Sequence, residues 1–358
     1  MNYSKVPLRL QENRVRRTYC GGQLLETWMN QKNPTDGMKP EEWVFSDVEA
    51  KNSDFIPGEG LSAVSVNGRT LALGALIQDE KTSYLGENRM DAGVLIKLLD
   101  AGERLTIQVH PTKAYAREFL HSQYGKTECW YVLDVRNTDG GEPFVLFGFK
   151  ENVTRELWKS LFEKQDISGM LACLHKFRAR PGEVYLINGG IPHAIGNGCF
   201  LAEIQEPTDY TMRVEKTTPQ GHKIADMLIH QGVGEEKMLD AFDYTPMSRE
   251  EIEKKYKLVP KVLHKGENYK LEQLVGYEDT ECFRVLKIEV KTEAVIPVES
   301  FLVIIVLEGD GAVRTDEASE RARKGDRFFI PHAAKRITIE NITALICYPP
   351  ATEITNIG

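Results

Sequence analysis

Residues 181–198 read PGEVYLINGGIPHAIGNG, and this stretch decides the architecture. Counting from Gly182, five residues lead to Asn188, Gly190 follows, His193 stands three further on and Asn197 four beyond that. GEVYLING is a short apolar run closed by turn-forming residues, which is how a strand ends. The same grammar recurs on both sides in RLTIQVHP, CWYVLDV, EPFVLFGF and CFLAEIQE, and in LSAVSVNGRTLALGALI, where Asn67-Gly68 is a hairpin signal. The chain is therefore read as mainly β. Helical patterning intrudes in few places. Tyr115 and Phe119 share a face. Thr154 caps Leu157, Trp158, Leu161 and Phe162, and Asp166 precedes Ile167, Met170, Leu171 and Leu174. Ser248 and Glu251 form a capping box before a third helix. Strands then resume in FRVLKIEV, FLVIIVLEGDGAV, DRFFIP and KRITIE.

Strand patterning on both sides of the helix at Ser248 predicts two mainly β domains, and the Gly182–Asn197 spacing, which resembles a cupin motif, implies two cupin-like jelly-roll β domains with a few short helices on or between them. That resemblance implies a catalytic domain over residues 1–240 with a small helical insertion near 152–176, and a helical connection and metal-free domain over residues 241–358. With 358 residues, 41% hydrophobic and 27% charged, the chain can bury a sizeable core, and no apolar run approaches the roughly 20 residues of a membrane span. A net charge of −8 argues against a nucleic-acid or membrane binder, so an anionic ligand must meet a local basic cluster. Six cysteines without a C-x-x-C pair and an N-terminus without an apolar signal core lead to the expectation of a cytoplasmic protein with free thiols, for which a monomer is compatible.

Alternation gives the chemistry its first outline. In RLTIQVHP, Thr106, Gln108 and His110 share one face; in KTECWYVL, Lys126, Glu128 and Trp130 do; in FLAEIQE, Glu203 joins Gln205. Asp209, Thr211 and Arg213 share a face if that segment is extended. Gln108, His110, Glu128 and His193 together offer two imidazole nitrogens and two oxygens. That set suits Zn²⁺ and tolerates other first-row divalent ions. Trp43 and Trp130 read as core. His121 and His175 fall on helical patterns and read as exposed.

The spacing from Gly182 to Asn197 resembles the second cupin motif, with Asn188 where Pro is usual, and Gln108, His110 and Glu128 resemble the first, with Gln for one His. Together GERLTIQVHP, GKTECWYVLD, PGEVYLINGGIPHAIGNG and LAEIQEPTDYTMRVE, with echoes in GGQLLETW and EEWVFS, resemble the type I mannose-6-phosphate isomerases, in their short bacterial form. The resemblance implies one zinc ion on Gln108, His110, Glu128 and His193, and an active-site arginine at Arg213. It implies pocket positions for Glu203, Asp209 and Lys126, and a sugar-phosphate role for Thr106 and Lys97. Thr106 stands where Ser is more usual, and EPTDYTMRV departs from the familiar wording before the arginine.

The implied reaction is the reversible isomerisation of mannose 6-phosphate and fructose 6-phosphate through an enediolate, with Arg213 holding the oxyanion and either Glu203 or Lys126 moving the proton. The partner is then a small-molecule sugar phosphate. A non-catalytic sugar-phosphate-binding bicupin and a metal-dependent cupin oxygenase are the alternatives. Gln108, Lys126 and Arg213 weigh against the oxygenase. In the C-terminal third, KGDRFFIPHAAKR repeats the later cupin spacing, but Arg336 stands where the metal histidine would, and FLVIIVLEGDGAV holds Glu308 and Asp310 but no histidine.

Overall fold

A computed structural model of the chain describes residues 3–66 and 68–351. The strand-forming segments assemble into three sheets whose pairings are all antiparallel. A five-stranded sheet runs in the order Leu174–Arg178, Phe144–Phe149, His193–Ile195, Gln108–Val109, Met212–Arg213. A seven-stranded sheet runs Lys257–Leu258, Val184–Ile187, Glu128–Val135, Cys199–Gln205, Leu95–Ala101, Glu41–Phe45, Arg14–Val15. These two face each other across a core of Trp130, Val132, Val145, Phe147, Ile195 and Leu201 and form the first jelly roll. An eleven-stranded sheet, centred on Leu302–Arg314 and Arg336–Tyr348, folds over its own core of Leu302, Ile304, Phe328 and Ile337 as the second.

Two strands show why the pattern is so apolar. Along Cys199–Gln205, Cys199 and Leu201 enter the first jelly roll while Phe200, Ala202 and Ile204 face the opposite way, into a core shared with Phe301, Val303 and Phe329. Along Leu302–Arg314, Val303 and Ile305 enter that shared core while Ile304 and Val306 face the second roll. Strands buried on both faces lose the apolar-polar alternation of a solvated sheet. At the centre of the shared core Phe45 and Phe329 stack with ring centroids 5.4 Å apart.

The sheets do not divide at residue 240. Leu8–Leu10 and the hairpin of Ala63–Val66 with Arg69–Ala72 join the sheet of the C-terminal strands, Leu8 lying opposite Phe329. Of the expected Asn67-Gly68 hairpin signal, Asn67 lies outside the described residues.

The helices expected at Thr154, Asp166 and Ser248 are present: Arg155–Lys164, Ile167–Ala172 and Arg249–Tyr256, each capped by the named side chain. The stretch LALGALI departs from its strand reading. Leu73–Asp79 is a helix, because Leu73, Leu76 and Ile77 pack on the shared core at helical spacing. His175 also departs from expectation: the helix stops at Ala172, and His175 is buried on the strand Leu174–Arg178 with Nε2 2.9 Å from the Met247 carbonyl. His121 is exposed, just past the helix Lys113–Phe119. Trp43 and Trp130 are both buried.

Candidate metal centre and pocket

Register builds the site. In the five-stranded sheet His193 lies opposite Gln108, and Gln108 opposite Arg213, so three adjacent strands present these residues in one row. In the seven-stranded sheet Trp130 lies opposite Glu203, Glu203 opposite Lys97, and Lys97 opposite Trp43. Glu128 is one step along on that same face, opposite Gln205. Residues from four separate stretches of chain thus converge between the two sheets of the first jelly roll.

His110, Glu128 and His193 converge so that one ligand atom from each lies within 4.8 Å of the others, all three buried. Nε2 of His110 is 3.1 Å from Glu128 Oε2, and Nε2 of His193 is 3.5 Å from Glu128 Oε1. The other ring nitrogens are engaged by backbone. Nδ1 of His110 lies 2.9 Å from the Tyr210 carbonyl and Nδ1 of His193 lies 2.8 Å from the Ile191 carbonyl. A carbonyl at Nδ1 selects the tautomer with its proton there and leaves Nε2 as a free lone pair. The Gln108 amide stands 3.2 Å from His193 Nε2, and a rotated amide presents its oxygen at that place. Trp130 Nε1 donates to Glu128 Oε1 at 3.0 Å.

Protonation states agree with a cation site. Burial, aided by the Lys126 ammonium, presses His110 down to about 3, and burial lowers His193 as well, so both rings are neutral near pH 7. Burial alone would raise the Glu128 carboxyl, but Lys126 and the two imidazoles override it and hold it well below the usual carboxylate range. Neutral imidazole and ionised carboxylate are the forms that bind metal. The Lys126 ammonium itself sits 2.7 Å from both His110 Nε2 and Glu128 Oε2, so these acceptors already converge on a positive charge. The donor set fits a divalent ion.

Beside this cluster a pocket is lined by Thr106, Gln108, Lys126, Lys97, Glu203 and Arg213, six of the residues singled out from sequence. Lys97 lies 3.4 Å from Glu203 and 3.7 Å from Glu41, which outweigh its burial and raise its pKa. Burial, then the nearby Glu128 charge, raise the Glu203 carboxyl. Arg213 donates only to backbone, to the Thr211 carbonyl at 3.1 Å and the Leu228 carbonyl at 2.7 Å. Among the described residues it is the one pocket cation without a carboxylate partner, whereas Arg17, Lys97, Arg104 and Lys126 each have one. Burial and the neighbouring Arg17 bring it down to about 10.

Asp209 does not hold Arg213. Both its oxygens accept from Arg17, at 2.8 and 2.9 Å, and it stands behind that residue rather than on the pocket wall. Arg17 and Glu41, 3.0 Å apart, are among the pocket residues that motif reading passed over. The signal available was modest: Glu41 opens the EEWVFS echo, and Arg17 stands just before GGQLLETW.

Comparison with known proteins bears on the family and the fold. The family profile described as "Mannose-6-phosphate isomerase, cupin domain" matches residues 275–348, in the second jelly roll. A mannose-6-phosphate isomerase of Streptococcus mutans is 30% identical over 254 residues, 68% of this chain and 69% of the relative. The crystal structure of the Bacillus subtilis mannose 6-phosphate isomerase superposes with a TM-score of 0.75 at 23% identity, covering 96% of this chain and 99% of the other. A mannose 6-phosphate isomerase structure bound with zinc and yttrium superposes with a TM-score of 0.70 at 17% identity, covering 96% and 100%.

Proposed function

The chain belongs to the mannose-6-phosphate isomerase family, and from that premise we propose that it reversibly isomerises mannose 6-phosphate and fructose 6-phosphate at a zinc site. The observation that carries this reading is the buried His110–Glu128–His193 set beside a pocket in which Arg213 has no carboxylate partner among the described residues. Gln108, His110, Glu128 and His193 would hold one ion per chain, zinc first and other divalent ions in its place. That ion, when bound, supplies Lewis acidity toward the sugar oxygens.

The remaining steps belong to the chain's own groups. In the open aldose form, Glu203 takes the proton from C2 while the electron pair moves toward C1 and its carbonyl oxygen. The same carboxyl returns the proton at C1, and the hydroxyl proton on O2 passes to O1, leaving the ketose. A buried carboxyl whose pKa is raised is a stronger base than an exposed one and is suited to accept and return a proton. Arg213, held by two carbonyls and paired with no carboxylate among the described residues, meets the enediolate oxygen with little reorganisation. Lys126 supplies an ammonium beside Glu128 and Glu203, placed to donate to a sugar oxygen. Thr106 and Lys97 bind the sugar phosphate, and Asp209 serves the same wall through Arg17.

The test is conversion of mannose 6-phosphate to fructose 6-phosphate by metal-stripped and zinc-reconstituted protein. Turnover should be absent in the first and present in the second. No turnover in either defeats the reading in favour of a binding protein, and equal turnover in both defeats the zinc assignment.

A further inference from the structure

The segment Glu206–Thr211 links the buried strand Cys199–Gln205 to the strand Met212–Arg213 and has no strand pairing of its own. It nevertheless carries two contacts on which the centre depends. The Tyr210 carbonyl meets His110 Nδ1, and the Thr211 carbonyl accepts from Arg213. An unpaired segment keeps such positions only if something else fixes it.

Thr208 Oγ1 donates to the Gly125 carbonyl at 2.8 Å and Gln231 Nε2 to the Thr211 carbonyl at 3.0 Å, and Asp209 supplies the anchor with the most contacts. Its carboxylate takes two N–H groups from Arg17, at 2.8 and 2.9 Å, and the Lys51 backbone N–H at 2.8 Å. The adjoining Tyr210 ring lies under the Lys51 ammonium, 3.7 Å from its centroid. Arg17 is itself tied at Nε to Glu41, 3.0 Å away on the strand Glu41–Phe45. The side chains of Arg17 and both carboxylates are buried, and burial makes the geometry of the grip stringent. A planar guanidinium reaches two carboxylates at once along separate edges, which a single ammonium cannot do.

We infer that Arg17 is a positioning residue, which by bridging Glu41 and Asp209 fixes the Asp209–Arg213 segment and with it both the ring of His110 and the seat of Arg213. The relay runs from the sheet through Glu41, Arg17 and Asp209 to the Tyr210 carbonyl and His110 Nδ1. The inference rests on the reading that His110 binds a divalent ion. Arg17 lies outside the four proposed metal ligands, and in this role it acts through the segment it holds.

The full-length chain is tested as wild type, Arg17→Lys and Arg16→Lys. Arg16 is the control, since it pairs with Asp54 and Glu59 rather than with Asp209. Zinc affinity is read by competition with a chromophoric chelator, and the ligand field by the visible absorption of the cobalt(II)-loaded protein. Loss of an outer-shell partner costs about 10–100-fold in metal affinity, so Arg17→Lys should bind zinc about tenfold more weakly or worse and shift the cobalt bands, whereas Arg16→Lys should match wild type. A folded Arg17→Lys with wild-type zinc affinity and cobalt spectrum overturns the inference while leaving the metal assignment standing. Should Arg17→Lys fail to fold, Asp209→Asn decides by the same two readings, and wild-type behaviour there overturns the inference too. If wild type binds neither zinc nor cobalt, the metal reading falls and this inference with it.

Discussion

Arg213 donates to the carbonyl of Leu228 at 2.7 Å, so a helix fifteen positions further along the chain, Asp226–His230, seats the one pocket cation that no described carboxylate neutralises. Because backbone atoms hold it, a change of side chain leaves the seat intact. Arg213→Lys keeps a charge and loses the planar fork. Turnover should fall by about ten- to a thousandfold, on the scale of losing one pre-placed oxyanion donor, with metal content unaltered. An unchanged kcat in steady-state assays would make Arg213 a structural residue only.

Removing an imidazole should remove the ion. His193→Ala is expected to lose metal and activity together, as measured by elemental analysis and turnover on the same preparation. The wild-type chain should contain about one divalent ion, and His110→Ala combined with His193→Ala none, since among the described residues His110, Glu128 and His193 are the only such group. A second equivalent surviving the double change would place a metal in the C-terminal half.

The proton-transfer role of Glu203 has a pH signature. Its carboxyl is raised by burial and by Glu128, and the base must be ionised to act. The acid limb of kcat/KM should therefore lie above the ordinary Glu value of about 4.3, and activity should fall as pH drops through it. Glu203→Gln should abolish turnover across the whole range while zinc remains bound. Retained turnover in that variant would hand the proton to Lys126.

Asp209 has the opposite shift. Burial alone would raise it, but Arg17 overrides burial and holds it well below the usual carboxylate range. A folded-state value below the unfolded one, about 3.9, means its contribution to stability is fully present above that pH and is lost as pH falls toward the folded value. In metal-stripped protein, Asp209→Asn should flatten the fall of urea-unfolding stability below about pH 4 by at most about 1.4 kcal/mol per pH unit. Identical slopes for the two proteins would contradict the assigned shift.

Phe329 stacks on Phe45 in a core fed by both jelly rolls. Phe329→Ala should cost about 3–5 kcal/mol, as large-to-small changes of a buried aromatic do. Because strands of both rolls share that core, calorimetry should show one cooperative transition displaced as a whole. Two transitions of which only one moves would count against the shared core.

Much of the site is legible in the sequence because strand alternation is a local rule. Gln108 and His110 had to share a face, as did Glu203 with Gln205, and the resemblance of the Gly182–Asn197 spacing to a cupin motif added His193 to the set. What alternation cannot convey is which face meets which sheet. Asp209 illustrates this: extended spacing put it on one face with Arg213, four residues away, but the carboxylate turns to Arg17, 192 positions distant. His175 and LALGALI were misread for a related reason. A short apolar run carries no period of its own, and its state follows from the surface it lands on. The boundary at residue 240 followed the helix at Ser248, whereas the sheets follow hydrogen bonding.

The pairing of Leu8–Leu10 with the strand Arg327–Ile330 sets an order of events during synthesis. Arg9 also donates to the carbonyl of Arg321, 312 positions later. At about 5–20 residues per second, the opening strand waits roughly 15–60 s on the ribosome before its partner has been made. During that interval the strand has only its other partner, Ala63–Val66, to pair with, and Leu8 and Leu10 are not yet covered as they are in the finished protein. Residues made more than 300 positions later therefore complete the seat of Leu8–Leu10, and a nascent chain stalled short of Phe328 cannot finish the sheet to which that strand belongs.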